Sequence, residues 1–299
     1  MTIPIILHQD KGLVLVDTGY YRFNRYFASL IWYRKVKKGS VDIASLHEDT
    51  EFMVAVRKHV LNDILCYATY PYQTKPFKKS PVPKNRKIRN KVIFCVDCPR
   101  ASIWRMGYYK EYKGTRSHDD AVNMQALDMI YEYINEQCIS ATIDGLDVMK
   151  LNAERLEADD VVYLTLNHAR IAGYMPHVLV ITNDNDFLQL VPAPLRATVV
   201  NAKAVDLSVR AHHDPATSTI LKVLLGDQSD NIKAVPGVGT EKQALVLAGM
   251  TETQRRNWIK DHADLRAYKL NKKLILLSSI PRHWAQKFTL KYTLSVETN

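Results

Sequence analysis

Three short apolar runs punctuate the chain: Gly12–Asp17 (GLVLVD), Val92–Asp97 (VIFCVD) and His177–Thr182 (HVLVIT). Each is rich in Val and Ile, is bounded by polar turn residues, and predicts a strand buried on both faces, as in a parallel sheet. Apolar positions at helical spacing fill the stretches between them, over 41–67, 119–139 and 156–172. Strand and helix in alternation predict an α/β domain with a mostly parallel sheet flanked by helices. After about residue 206 the strand-like runs stop and a helical pattern takes over, with turns at Pro215, Pro236-Gly237, Gly239 and Pro281. This divides the chain into an α/β part, 1–205, and an all-helical part, 206–299. MTIPIIL at the start reads as a frayed terminus, with a docking peptide as the alternative. The Pro- and Lys-rich stretch 71–91 reads as a mobile loop.

No run of 18 apolar residues exists, which excludes a helical membrane span. The N-terminus has neither a basic region nor a long apolar stretch, so a signal peptide is not expected and a cytoplasmic location is. At 299 residues and 46% hydrophobic, the chain can build a sizeable core. Cys66, Cys95, Cys98 and Cys138 are too few for a disulfide scaffold. The single CxxC at Cys95 and Cys98 reads as reduced packing residues, not half a zinc site.

Charge changes the picture. Forty-one Lys and Arg against 31 Asp and Glu give a net +10, which favours an anionic partner, nucleic acid first. The excess is concentrated: residues 75–91 hold eight Lys or Arg and no acid, and residues 255–291 hold ten against two acids.

Acidic residues are placed quite differently. Asp17 closes the first predicted strand, Asp97 the second, and Asp184 and Asp186 follow the third. Parallel strands share one carboxyl edge, where open α/β sheets bind ligands, so four carboxylates converge. Glu157, Asp159 and Asp160 begin the helix after residue 156, and Asp227 and Asp230 stand three apart in LLGDQSDN. Nine carboxylates in one concave place could not all stay ionised unaided. Divalent cations resolve the conflict. All-oxygen donors suit Mg²⁺ or Mn²⁺, and two such ions about 4 Å apart form the usual clamp for displacement at phosphorus.

Two further segments suit nucleic acid. In VPGVGTEKQALVLAG, over 235–249, Gly237 and Gly239 permit a tight turn and close approach of backbone N–H groups to phosphate. Thr240 caps the following helix, and Lys242 adds charge. This is a helix–hairpin–helix signature that grips phosphates without reading bases. In RMGYYKEYKGTR, Arg105, Lys110, Lys113 and Arg116 alternate with Tyr108, Tyr109 and Tyr112, a pattern suited to phosphate tracking and base stacking. Tyr20, Tyr21 and Arg22 read either as a similar surface or as core and rim residues.

The motifs VDTGYYRF, FCVD, YYKEYKGTR, LEADD, TNDNDFLQL and LLGDQSDNIKAVPGVGTEK together resemble the 5′–3′ exonuclease and flap endonuclease family. The resemblance runs from residue 12 to about 250, and the phage RNase H branch is the most similar. It implies a PIN-like, resolvase-like α/β domain followed by a helix-three-turn-helix region. It implies metal-dependent removal of RNA primers, 5′ ends and flaps during DNA replication, on DNA and RNA–DNA hybrids. Asp97, Glu157, Asp159 and Asp160 match the family's first metal site and its surroundings, Asp184, Asp186, Asp227 and Asp230 the second, and Asp17 the strand-one acid of the shared site. Lys113 and Arg116 match arch residues at the scissile phosphate. The hairpin matches an element that holds duplex DNA with K⁺ on its carbonyls. A monomer that meets a single-strand-binding protein or a sliding clamp is implied as well. The other class of reading is a non-catalytic duplex-binding protein of the same fold, against which the full carboxylate set speaks.

Overall fold

The computed structural model describes residues 2–37, 40–70, 87–115, 122–139, 145–209 and 211–298. Arg116 and most of the basic stretch at 75–91 lie outside the described residues. The chain begins with strands β1 (Ile3–His8) and β2 (Gly12–Asp17), then helices α1 (Thr18–Lys37) and α2 (Thr50–Thr69), then β3 (Asn90–Val96). Helix α3 (Met124–Ile139), strand β4 (Val148–Asn152), helix α4 (Ala158–Ile171) and strands β5 (Val178–Ile181) and β6 (Ala197–Val200) follow. The rest is helical: α5 (Pro215–Leu225), α6 (Glu241–Ala248), α7 (Glu252–His262), α8 (Leu265–Ile275) and α9 (Arg282–Lys291), closed by strand β7 (Tyr292–Glu297).

Five strands form one parallel sheet in the order β4-β3-β2-β5-β6, with β2 at its centre. Side chains alternate across it. Val14, Val16, Val92, Phe94, Leu179 and Ile181 pack under α1, α2 and α3. Leu13, Leu15, Ile93, Cys95, Val178 and Val180 pack on the other face with α4 and residues from β1, α9 and β7. Burial on both faces is why these strands read as unbroken apolar runs. A third core joins α5–α8 to Cys98, Ile103 and Tyr112, from the segment after β3. The cysteines are free, with Cys95 and Cys98 buried.

Several features differ from the sequence reading. The N-terminal residues are not frayed: β1 pairs in parallel with β7, and Ile5 and Leu7 are in the core. The terminal region 206–299 therefore ends in a strand returning to the α/β layer. Strands β4 and β6 are also additions. They are five and four residues long, and β4 is a half-exposed edge, so neither prints a long apolar run. Helix α1 was unassigned; its sequence TGYYRFNRYFASLIWYRKVK is rich in aromatic residues, which favour strands when taken singly. Helix α2 begins at Thr50, later than expected, because the Asp49 side chain accepts the Phe52 N–H at 3.0 Å and caps it there. No helix among the described residues is long and apolar enough to cross a membrane.

The β1–β7 pairing makes the first residues structural. Ile5→Ala should lower stability by roughly 2–5 kcal/mol, the range for a buried large-to-small change, read from the midpoint of urea unfolding. A frayed terminus would leave the midpoint unmoved.

Candidate active site

The parallel register delivers the acids to one edge. Asp17 ends the central strand, Asp97 follows β3, and Asp184 follows β5. Asp17 Oδ1 accepts the Tyr20 N–H at 3.1 Å, and its Oδ2 accepts the Thr182 hydroxyl at 2.8 Å. The same hydroxyl accepts the Asp184 N–H at 3.2 Å. Thr182 thus ties the acids of β2 and β5 together. The Thr that opens the TNDND run carried no signal for this. Asp97 Oδ1 accepts the N–H of Ala158, the first residue of α4, at 2.8 Å. The chain turns at Gly19 close beside both acids: a Cβ there would lie 2.9 Å from Asp97 Oδ2. Burial, then the Asp97 charge, pushes the Asp17 carboxyl up to about 7. Asp97 is raised by burial and by Glu157.

Glu157, Asp159 and Asp160 form one triad whose oxygens lie within 4.8 Å of one another. They converge on Arg105, which reaches Glu157 at 2.7 Å, Asp160 at 2.8 Å and Asp159 at 3.2 Å. Its Nε donates to the Leu274 carbonyl at 2.9 Å. Lys113 Nζ meets Glu157 Oε1 at 2.5 Å. Burial would raise Glu157, but Lys113 and Arg105 outweigh it and hold its carboxyl below the usual range. Burial raises Asp159 well above that range.

Asp186, Asp227 and Asp230 form a second triad, again within 4.8 Å. Lys222 Nζ sits between two of them, 2.5 Å from Asp186 and 2.6 Å from Asp227. Burial and the nearby Asp184 push Asp186 up to about 7. The Tyr112 hydroxyl joins the triads, bonding Glu157 Oε2 at 3.2 Å and Asp230 Oδ2 at 3.0 Å. Both triads are all-oxygen and already hold ammonium or guanidinium groups of the protein, so the donor set fits divalent cations.

Two expected site residues turn out otherwise. Arg105 is 1% exposed and holds carboxylates, so it cannot reach nucleic acid. Tyr21 is in the core, donating to Asp63, itself paired with Arg25. Asp160 is fully enclosed; its oxygens accept from Arg105, Trp104 Nε1 at 2.7 Å and the Glu157 N–H at 3.1 Å. It positions Glu157 and the start of α4. The Tyr20 hydroxyl accepts the Ala202 N–H at 3.0 Å, which fixes that ring at the rim. Lys110 and Lys242 are exposed. Lys222, five residues before Asp227, was missed.

The hairpin sits on the helical side of the site. Gly237 and Gly239 both have left-handed backbones, at φ 93° and 76°. A Cβ on Gly237 would strike the His262 carbonyl at 2.6 Å, whereas Gly239 faces open space. Thr240 caps α6, accepting the Gln243 N–H at 3.2 Å. Gly237 therefore serves packing, and Gly239 is the position where backbone could meet a ligand.

Residues 81–214 match the family model of the 5′-3′ exonuclease N-terminal, resolvase-like domain. This region is similar to the resolvase-like domain of the 5′–3′ exonucleases. The chain is similar to the 5′-3′ exonuclease of Mycobacterium tuberculosis, 28% identical over 177 residues, covering 53% of this chain and 54% of that protein. It is also similar to DNA polymerase I of Bacillus subtilis, 29% identical over 154 residues, covering 49% of this chain and 16% of the polymerase. The chain thus spans about half the length of that exonuclease and a smaller share of the polymerase. Among solved structures, the T5 D15 protein co-crystallised with metal ions aligns at a TM-score of 0.49 and 17% identity, covering 93% of this chain and 97% of that one.

The carboxylate site carries a pH signature. A carboxyl whose folded pKa is raised costs nothing at low pH. Its penalty grows as pH rises through the unfolded value of about 4 and is complete above the folded value. For Asp17, raised from 3.8 to about 7, the window is therefore pH 4–7. The ceiling is roughly 4 kcal/mol at about 1.4 kcal/mol per unit. Asp17→Asn should raise the metal-free melting temperature at pH 8 and change it little at pH 4. Equal changes at both values would contradict the assignment.

Proposed function

We propose that this chain is a metal-dependent 5′–3′ nuclease of the flap endonuclease and RNase H type, removing RNA primers and 5′ ends or flaps in DNA replication. The observation that carries the reading is the pair of all-carboxylate triads at the carboxyl edge of one parallel sheet, each neutralised by exchangeable lysine. Residues 1–205 would carry the chemistry and residues 206–299 would hold duplex. Asp97, Glu157 and Asp159 would hold one divalent ion, Mg²⁺ or Mn²⁺, and Asp184, Asp186, Asp227 and Asp230 a second, with Asp17 between them. Bound there, such ions activate water and neutralise charge at phosphorus.

The protein's own groups do the rest. Trp104 and Arg105 lock Asp160, which fixes the Glu157 backbone and aims its carboxylate into the site. Lys113 is half-buried beside that carboxylate. Released from Glu157, its ammonium would stabilise charge gathering on the attacked phosphate. Arg116, outside the described residues, would share that role. Gly239, Thr240 and Lys242 would grip the duplex backbone, with K⁺ at the hairpin carbonyls. The substrates would be DNA and RNA–DNA hybrids with 5′ ends, met as a monomer in the cytoplasm beside a single-strand-binding protein or clamp.

The test is metal-dependent shortening of flap, nicked and RNA–DNA hybrid substrates. Asp97→Asn should abolish cleavage and leave duplex binding within about twofold; cleavage close to wild type would remove the proposal. Lys113→Ala should slow single-turnover cleavage by roughly 10²-fold, the scale for loss of one charge-stabilising donor. Binding in Ca²⁺ should hardly change. A matching loss of affinity would make Lys113 a binding contact instead.

A further inference from the structure

A cleft of about 830 Å³ opens beside Asp97 on the β3–β4 side of the sheet. The helical region meets the site from the other side, where α5 supplies Lys222 to Asp186. The cleft is walled by Arg22 of α1, Ser102 after β3, Asp128 and Tyr131 of α3, and Arg155 after β4. Its acids are mostly spoken for. Asp128 faces Arg22 at 3.4 Å, and Glu154 pairs with Lys287 at 3.0 Å.

Arg155 differs. Among the described residues it has no hydrogen-bonding or ionic side-chain partner, and its Nε is buried without one. Its guanidinium lies over the Trp284 ring at 5.3 Å. Its backbone is left-handed at φ 63°, an arrangement that costs a non-glycine residue of order 1–3 kcal/mol. The bond from Trp104 N–H to the Arg155 carbonyl, 3.0 Å, holds it there. A strained backbone that holds an unpaired guanidinium at the wall of a cleft, next to a carboxylate centre, is built for an anion, and a fork of N–H donors suits phosphate.

We propose that this cleft receives the nucleotide released from the 5′ end, with its 5′-phosphate paired to Arg155. The inference rests on the nuclease reading. A 5′ nuclease keeps the duplex on the 3′ side of the cut. The hairpin places that duplex on the helical side, so the departing 5′ part lies across the carboxylates, where the cleft is. Arg22, 5.6 Å from the Tyr131 ring centre and paired with Asp128, lines the same wall.

The experiment uses the full chain with Mg²⁺ and nicked duplexes whose downstream strand carries a 3′ fluorophore and ends in either a 5′-phosphate or a 5′-hydroxyl. Shortening is followed on gels. The wild type should show a KM about tenfold lower for the phosphorylated end, the scale of one charge-assisted contact. Arg155→Asn, chosen because asparagine tolerates the left-handed backbone, should bring the ratio of the two KM values to about one. Arg155→Lys should restore part of it. Equal KM values in the wild type, a comparison that needs no variant, overturn the phosphate site and leave the nuclease reading standing. So does a ratio unchanged in a folded Arg155→Asn. Failure of the wild type to shorten either end overturns both.

Discussion

Like charge crowded at one edge of a sheet is the constraint around which this chain is arranged. Six carboxylates in two triads, with Asp17, Asp97 and Asp184 beside them, repel one another where water is scarce. The protein answers with two kinds of cation. Arg105, at 1% exposure and bonded to three carboxylates and a carbonyl, is permanent. Lys113 and Lys222, with 18% and 31% of their side chains exposed, are exchangeable. Removing the arginine would strand buried charge, which is strongly destabilising. Moving either lysine aside costs far less and opens a place for another cation. The fixed group keeps its triad in shape, and the lysines balance both triads while staying open to exchange.

The same constraint joins the sheet to the helices. Asp227 and Asp230 come from beyond residue 206, yet the Asp230 carboxylate is bonded to Tyr112 and its carbonyl to the Lys113 N–H at 2.9 Å. Arg105 reaches into α8 through the Leu274 carbonyl. Beneath these polar links, Cys98, Ile103 and Tyr112 sit in the core of the helical region. Hydrophobic packing holds the two parts in register, and the polar links set the register finely enough for both triads to share a tyrosine.

What could be read in the sequence follows from burial. Strands β2, β3 and β5 are buried on both faces, so their apolar runs and closing acids are visible without a structure. The edge strand β4, the four-residue β6 and the β1–β7 pair lack that continuity, and the last joins residues nearly 290 apart. Among site residues, the acids were legible because parallel strands share an edge. Arg105 was misplaced because a basic, tyrosine-rich segment has the same composition whether it lies on a surface or plugs a carboxylate cluster. Tyr21 failed for the same reason. Thr182 and Lys222 carry no pattern of their own; only the fold brings them to the acids.

The segment that bears Lys113 shows how the exchangeable cation is aimed. Lys113 has a left-handed backbone at φ 56°. That strain is sustained from both sides of the residue: its N–H donates to the Asp230 carbonyl, and its own carbonyl accepts from Arg100. The main chain is therefore clamped independently of the ammonium, which meets Glu157 and lies over the Tyr112 ring. A lysine fixed through its side chain would have to break those bonds and lose its position in order to act. Fixed through its backbone, it can leave Glu157 and still stand over the same triad. Strain stored in one residue thus separates where the charge is from what it is bonded to, which is what the role proposed for Lys113 requires.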